Sequence, residues 1–233
     1  RLTGRLPEFW DPLTGEIRTA SSFRQDNGRT ILPLELPESG SLFVVFRQPT
    51  EQLVARGRNT LDLERRAELA GPWTVNFDPR WAGPESVVFP ALVDWTSRPE
   101  PGIKYYSGSA VYTREFELPA ADGKPSRRLF LDLGRLRSMA QVTLNGKNVG
   151  IRWTFPFRVE ITSAIKPGTN RLEVRVVNRW PNRMIGDQFL PPDQRFTWST
   201  WNPFQQDSPL VESGLLGPVT VWSEKASAAA SSK

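Results

Sequence analysis

Leu129, Leu131 and Leu133 alternate with Phe130 and Asp132, Ala140, Val142 and Leu144 with Gln141 and Thr143, and Leu172, Val174 and Val176 with Arg171, Glu173 and Arg175. Successive side chains of a strand point to opposite faces, so each run between Arg128 and Asn178 predicts a half-buried strand. Asn145-Gly146 follows the second run, and that pair accepts the positive φ values of a type I′ hairpin turn. Lys147 to Ile151 is then the returning strand. Phe155-Pro156-Phe157 leads into a strand over Arg158 to Thr162, and Lys166 to Asn170 turns into the last run. The rest of the chain is expected to be built around this β core.

Before it, short strands are expected at Glu16 to Thr19, Thr30 to Leu36 and Ser41 to Arg47, with turns at Asp26-Asn27-Gly28 and Glu38-Ser39-Gly40. Trp10-Asp11-Pro12 with Thr14-Gly15 reads as a loop around a hairpin tip. This first piece is too small to bury a core by itself. Gln48 to Thr60 is polar and Arg-rich and reads as a linker, and Leu61 to Leu69 as a strand or short linker. Trp73, Val75 and Phe77 alternate with polar residues as a strand would. Pro79 to Pro101 is loop-rich. Val111 to Leu118 is the next long strand, with Tyr112, Phe116 and Leu118 inward and Arg114 a misfit on that face. Ala120 to Ser126 is a polar turn. Arg179 to Ser213 is irregular and rich in Trp, Pro, Asp and Gln, and Gly217 to Trp222 closes the domain. Many short strands without internal repeats or helix-rich alternation predict an all-β chain with a β-sandwich.

The chain has 233 residues, 38% of them hydrophobic, which suits a globular domain with a sizeable core. It contains no Cys and no His. Thiol catalysis, disulfides, serine–histidine triads and the usual transition-metal sites are thereby excluded. Carboxylate chemistry and an oxygen-ligand calcium site, such as a structural calcium in a loop, stay open, although no EF-hand-type acidic loop is present. The net charge of +5 rests on 24 Arg against 6 Lys. They are dispersed rather than gathered into a basic arm, so no nucleic-acid partner is expected. No apolar run approaches a membrane span. Arg1 in place of Met suggests a mature product or a fragment of a protein that is secreted or periplasmic.

Val111 to Phe116, Leu129 to Gly134, Ala140 to Gly150 and Pro167 to Leu172 together resemble the galactose-binding-like jelly roll that serves as the sugar-binding domain of family 2 glycoside hydrolases. The similarity covers roughly Leu69 to Trp222. A narrower resemblance, to the C-terminal region of the family 106 α-L-rhamnosidases, rests on Glu8-Phe9-Trp10-Asp11-Pro12 with Thr14-Gly15, on Ser41 to Arg47, on Asn178 to Asp187 and on Ser213 to Val219. The resemblance implies a galactose-binding-like β-sandwich over residues 58–224. It implies that 1–57 is the end of a preceding β domain; residues 225–233, small and polar, are expected to be a disordered tail. It further implies an upstream catalytic domain of the same protein as a partner, since that family's catalytic carboxylates and calcium lie in a barrel that has no counterpart here.

Protein sites grip sugars by stacking Trp or Tyr on apolar ring faces and bonding hydroxyls with Asn, Asp, Gln and Arg. Nine Trp is a high number for this length. The loop-borne ones, Trp81, Trp95, Trp153, Trp180, Trp198 and Trp201, are therefore candidates, while Trp73 and Trp222 belong to strands and to the core. Asn182, Arg183 and Asp187 join Trp180 in one patch, and Arg152 joins Trp153 in a second on the rim of the Asn-Gly hairpin. The alternative for the first patch is a salt-bridged loop folded over the sheet, and for any loop Trp a plug in the end of the sandwich or packing on a neighbouring domain. Carboxylate pairs such as Glu8 with Asp11 or Asp187 with Asp193 read as turn or surface acids. The chain is thus expected to be a non-catalytic carbohydrate-binding or accessory module. Its partner would be a rhamnose-containing or acidic polysaccharide of plant or algal origin. A module that braces a catalytic domain without binding glycan is the alternative.

Overall fold

A computed structural model describes residues 1–118 and 127–225. The turn expected at Ala120 to Ser126 and the tail from residue 226 onward lie outside the described residues. The chain divides into two compact units, Arg1–Leu63 and Glu64–Lys233. Among the described residues no helix is long and apolar enough to cross a membrane.

The first unit holds strands β1 (Arg5–Trp10), β2 (Ile17–Thr19), β3 (Ser22–Asp26), β4 (Arg29–Ile31), β5 (Phe43–Pro49) and β6 (Val54–Arg56). They form two three-stranded sheets, ordered β2-β1-β5 and β4-β3-β6. Against the expectation that this piece is too small to bury a core by itself, Phe9, Ala20 and Phe23 are buried in a small core of its own, with Leu6, Leu32, Leu42, Val44 and Ala55 packed around them. The strand β1 was not anticipated, because Pro7 and the Trp10-Asp11-Pro12 turn signal mask it. The hairpin tip that follows is as expected: Asp11 Oδ1 accepts from the amides of Leu13 (2.7 Å) and Thr14 (3.1 Å). The segment read as a linker contains β6 and Asn59. The Asn59 side chain donates to the carbonyls of Ser22 and Pro33 and accepts from the Ser22 amide at 2.8 Å. An amide that satisfies three backbone groups fixes this stretch to the unit, so it is no free tether.

The second unit is the sandwich. Its strands are β7 (Leu63–Glu68), β8 (Trp73–Asn76), β9 (Val87–Phe89), β10 (Ser109–Leu118), β11 (Leu129–Asp132), β12 (Arg135–Leu136), β13 (Met139–Leu144), β14 (Lys147–Arg152), β15 (Arg158–Glu160), β16 (Gly168–Val177), β17 (Leu215–Gly217) and β18 (Thr220–Glu224). One sheet has six strands ordered β14-β13-β16-β10-β8-β9, the other four ordered β15-β11-β18-β7, and β12 pairs with β17. The longest ladder runs antiparallel between β10 and β16, from Ser109↔Val177 to Leu118↔Gly168. The alternation read in the sequence sets which face is buried. Leu129, Leu131, Ala140, Val142, Leu144, Leu172, Val174 and Val176 all enter one core shared by both sheets. Each fully buried aliphatic or aromatic side chain there contributes roughly 1.5–3 kcal/mol relative to exposure.

An aromatic cluster fills the core beside β8 and β10. Trp73, Phe77, Phe89, Trp95, Tyr106 and Tyr112 are all buried. Trp95 stacks on Tyr112 at 6.4 Å with planes 8° apart, and Phe77 meets Tyr106 edge-on at 4.8 Å. Gly214 (φ +94) permits this packing, because a Cβ there would lie 2.6 Å from Trp95 Nε1. Arg114, the misfit on β10, is accommodated at the margin. Its guanidinium lies 5.6 Å from the Trp73 ring centroid and donates to the Ala70 carbonyl. The charge thus meets a π face and a carbonyl rather than the apolar interior.

Candidate functional site

The irregular stretch after β16 begins with a short helix, α1 (Pro181–Gly186), which continues into a 3-10 turn over Asp187–Phe189. Proline at its first position is suited to a helix start, having a fixed φ and no amide to satisfy. Buried polar side chains lock this helix to the sandwich. Asn178 accepts from the Gly108 amide at 2.9 Å and donates to the Tyr106 carbonyl at 2.9 Å. Asn182 clasps Val211, donating to its carbonyl at 2.6 Å and accepting from its amide at 2.8 Å, and also donates to Ser213 Oγ at 2.8 Å. The Arg183 amide donates to Ser107 Oγ at 3.2 Å.

Arg183 and Asp187 form an ion pair, Nε to Oδ1 at 3.0 Å, with side chains 5% and 2% exposed. The two atoms touch without hydrogen-bond alignment, so the contact is mainly Coulombic. Burial pushes the Arg183 guanidinium down in pKa, and the adjacent Asp187 charge partly offsets this. The guanidinium also lies 4.9 Å from the Phe196 ring centroid. The other Asp187 oxygen, Oδ2, accepts from the Thr197 amide at 2.8 Å and from Thr197 Oγ1 at 2.6 Å. Farther along the loop, Asn202 Nδ2 reaches the Met184 carbonyl at 3.4 Å, and Gln206 Nε2 donates to the Gln188 carbonyl at 2.8 Å.

The candidate residues therefore separate into two groups. Asn182, Arg183 and Asp187 lie inside, with protein partners. Trp180, Trp198, Trp201 and Trp153 lie outside, at 61%, 81%, 74% and 64% exposure. Trp198 and Trp201 sit in one segment between the anchors Thr197 and Asn202. Trp180 flanks α1. Trp153 follows β14, where Arg152 Nε donates to the Arg158 carbonyl at 2.6 Å and so helps shape the rim. Trp95, a loop candidate on sequence grounds, is a core residue: its Nε1 donates to the Tyr112 hydroxyl at 2.6 Å. Asp94 Oδ1 accepts from the amides of Thr96 and Ser213, which draws that loop inward. The residue that sequence reasoning passed over is Thr197. Nothing in its local pattern marks it, because its partner Asp187 is ten positions away.

Of the four carboxylates paired on sequence grounds, Glu8, Asp11 and Asp187 are held by the protein's own groups, and Asp193 is exposed. Asp11 caps its turn and Asp187 is committed to Arg183 and Thr197. Glu8 accepts from Trp10 Nε1 and Arg47 Nε, each at 3.0 Å. The Trp10 bond first, then the Arg47 bond, hold the Glu8 carboxyl below its ordinary range. Among the described residues no group of three Asp or Glu side chains is placed to hold a metal ion.

Residues 100–200 match the family described as glycosyl hydrolase 2 galactose-binding domain-like. A rhamnosidase structure from Novosphingobium sp. PP1Y superimposes with a TM-score of 0.88 and 38% identity, over 96% of this chain and 21% of that one. A protein of Formosa agariphila named "Putative beta-glucuronidase" is 38% identical over 176 residues, 66% of this chain and 15% of its own length. The matched region is similar to the galactose-binding-like domains of glycoside hydrolases, and the chain shares its fold with a segment of that rhamnosidase. It spans about a fifth or less of the length of these relatives.

Proposed function

We propose that this chain is a non-catalytic, carbohydrate-recognising module of a bacterial glycoside hydrolase of the rhamnosidase type. The observation that carries the reading is the segment between Thr197 and Asn202. It presents Trp198 and Trp201 at 81% and 74% exposure while hydrogen bonds hold both of its ends. A tryptophan face in water has unsatisfied apolar area that a sugar ring can cover. Because the segment is already held, little conformational entropy is lost on binding. Trp180 and the rim at Arg152 and Trp153 offer further aromatic and hydrogen-bonding surface. The ligand expected is a plant or algal polysaccharide, rhamnose-containing or acidic. It would be met outside the cytoplasm, which agrees with a secreted or periplasmic protein.

A second reading has an observation of its own. The relatives are several times longer than this chain, so the same exposed tryptophans could be covered by the catalytic part of the protein, with the module as a brace. Affinity electrophoresis of the chain through gels containing rhamnose-rich or uronic-acid-rich polysaccharides separates the two. Retardation that Trp198→Ala and Trp201→Ala each reduce by at least about ten-fold in affinity, at an unchanged thermal midpoint, supports recognition. A folded chain that none of the gels retards sinks it in favour of bracing.

A further inference from the structure

Asp187 is almost wholly buried, and its two carboxylate oxygens face different ways. Oδ1 lies against Arg183 on α1, and Oδ2 takes both donors of Thr197, the residue before Trp198. A buried ion pair is a poor means of stabilising a core, since desolvation offsets most of the attraction and a well-packed apolar pair serves as well. An apolar side chain at 187, however, could accept nothing from Thr197. The arrangement is suited to another task. Arg183 supplies an opposite charge beside Oδ1 inside the domain. Asp187 then grips the backbone and hydroxyl of Thr197 through charge-assisted bonds, which are stronger than neutral ones. On the far side of the tryptophans, Asn202 reaches the carbonyl of Met184 on the same helix.

We propose that Asp187 is a positioning residue. From inside the domain it latches the segment that carries Trp198 and Trp201 and so keeps their rings presented at the surface. What the rings are presented to rests on the carbohydrate reading above, but the latch itself does not.

Native-state hydrogen exchange on the full chain tests the latch, with Asp187→Asn and Thr197→Val as variants. The amides of residues 197–202 are expected to exchange at least about ten-fold faster in both, while those of β10 and β16 keep their protection. Thr197→Val removes only a hydroxyl at the edge of the loop, so it is expected to move the thermal midpoint by no more than about 3 °C. It decides the matter if Asp187→Asn does not fold. Unchanged exchange over 197–202 overturns the latch. So does equal acceleration in β10 and β16, which would make Asp187 a general stabiliser. Glycan binding distinguishes this failure from that of the function. Faster loop exchange together with weakened polysaccharide binding in Thr197→Val supports both inferences. Faster exchange in a chain whose wild type binds no glycan keeps the latch and removes the carbohydrate reading. Faster exchange with wild-type affinity overturns the positioning role.

Discussion

Tyr112 shows how one polar atom organises a core. Its ring is buried within the aromatic cluster, and its hydroxyl accepts from Trp95 Nε1 at 2.6 Å and from the Leu215 amide at 3.2 Å. Burial pushes the phenol up in pKa, so it remains a neutral hydroxyl. The hydroxyl thereby joins three parts of the chain that are far apart in sequence: the Pro79–Pro101 loop, β10 and the closing β17. Tyr112→Phe removes little volume but leaves two buried donors without an acceptor. It is expected to destabilise the domain by about 2–3 kcal/mol, read from urea unfolding, with the slope of the transition unchanged. The same logic governs Asn182 and Asp187. In sequence both look like residues that could bond sugar hydroxyls, yet inside the protein their bonds are taken by the chain.

The hairpin between β13 and β14 turns at Asn145-Gly146, with φ of +52° and +79°. Both values lie where Asn and Gly are tolerated best, as a type I′ turn demands. Asn145 also acts beyond its turn. It donates to the Ala164 carbonyl at 2.9 Å and to Asn170 Oδ1 at 2.7 Å, and its Oδ1 accepts from the Arg171 amide at 3.0 Å. One side chain thus ties the hairpin to the start of β16 and to the segment before it. Asn145→Ala gives up these bonds and places an alanine at positive φ. A loss of about 2–3 kcal/mol is expected in chemical unfolding. Asn145→Gly relieves the backbone conflict but not the missing bonds, so it is expected to recover only part of that loss.

At the scale of the molecule, every residue of the large core belongs to the sandwich, from Ala67 to Val221. The first unit has its own small core around Phe9 and Phe23. A fragment of residues 63–225, from the start of β7, is therefore expected to fold alone and to unfold in a single cooperative transition by circular dichroism. A fragment that stays expanded would show that the sandwich needs the first unit. The exposed tryptophans belong to a different balance. They contribute little to that core, which is why substitutions there are read in binding and those at Tyr112 or Asn145 in stability.

The sequence by itself determined the strands of the β core, their inward faces and the Asn-Gly turn. Each follows from local periodicity or from the φ preference of one or two residues. It also carried the resemblance to the galactose-binding-like domain, since the runs from Val111 to Leu172 keep both pattern and spacing. It did not show β1, whose proline and adjoining turn hide a strand that exists because Phe9 has a core to enter. Nor could it sort the tryptophans. Trp95 and Trp198 both sit in Pro-rich, polar loops, and only the tertiary structure puts one against Tyr112 and leaves the other in water. A salt bridge in the patch of Arg183 and Asp187 is among the sequence readings, but the burial of the pair and the grip on Thr197 are not. Burial and long-range hydrogen bonding depend on what the rest of the chain brings alongside, and no local pattern encodes that.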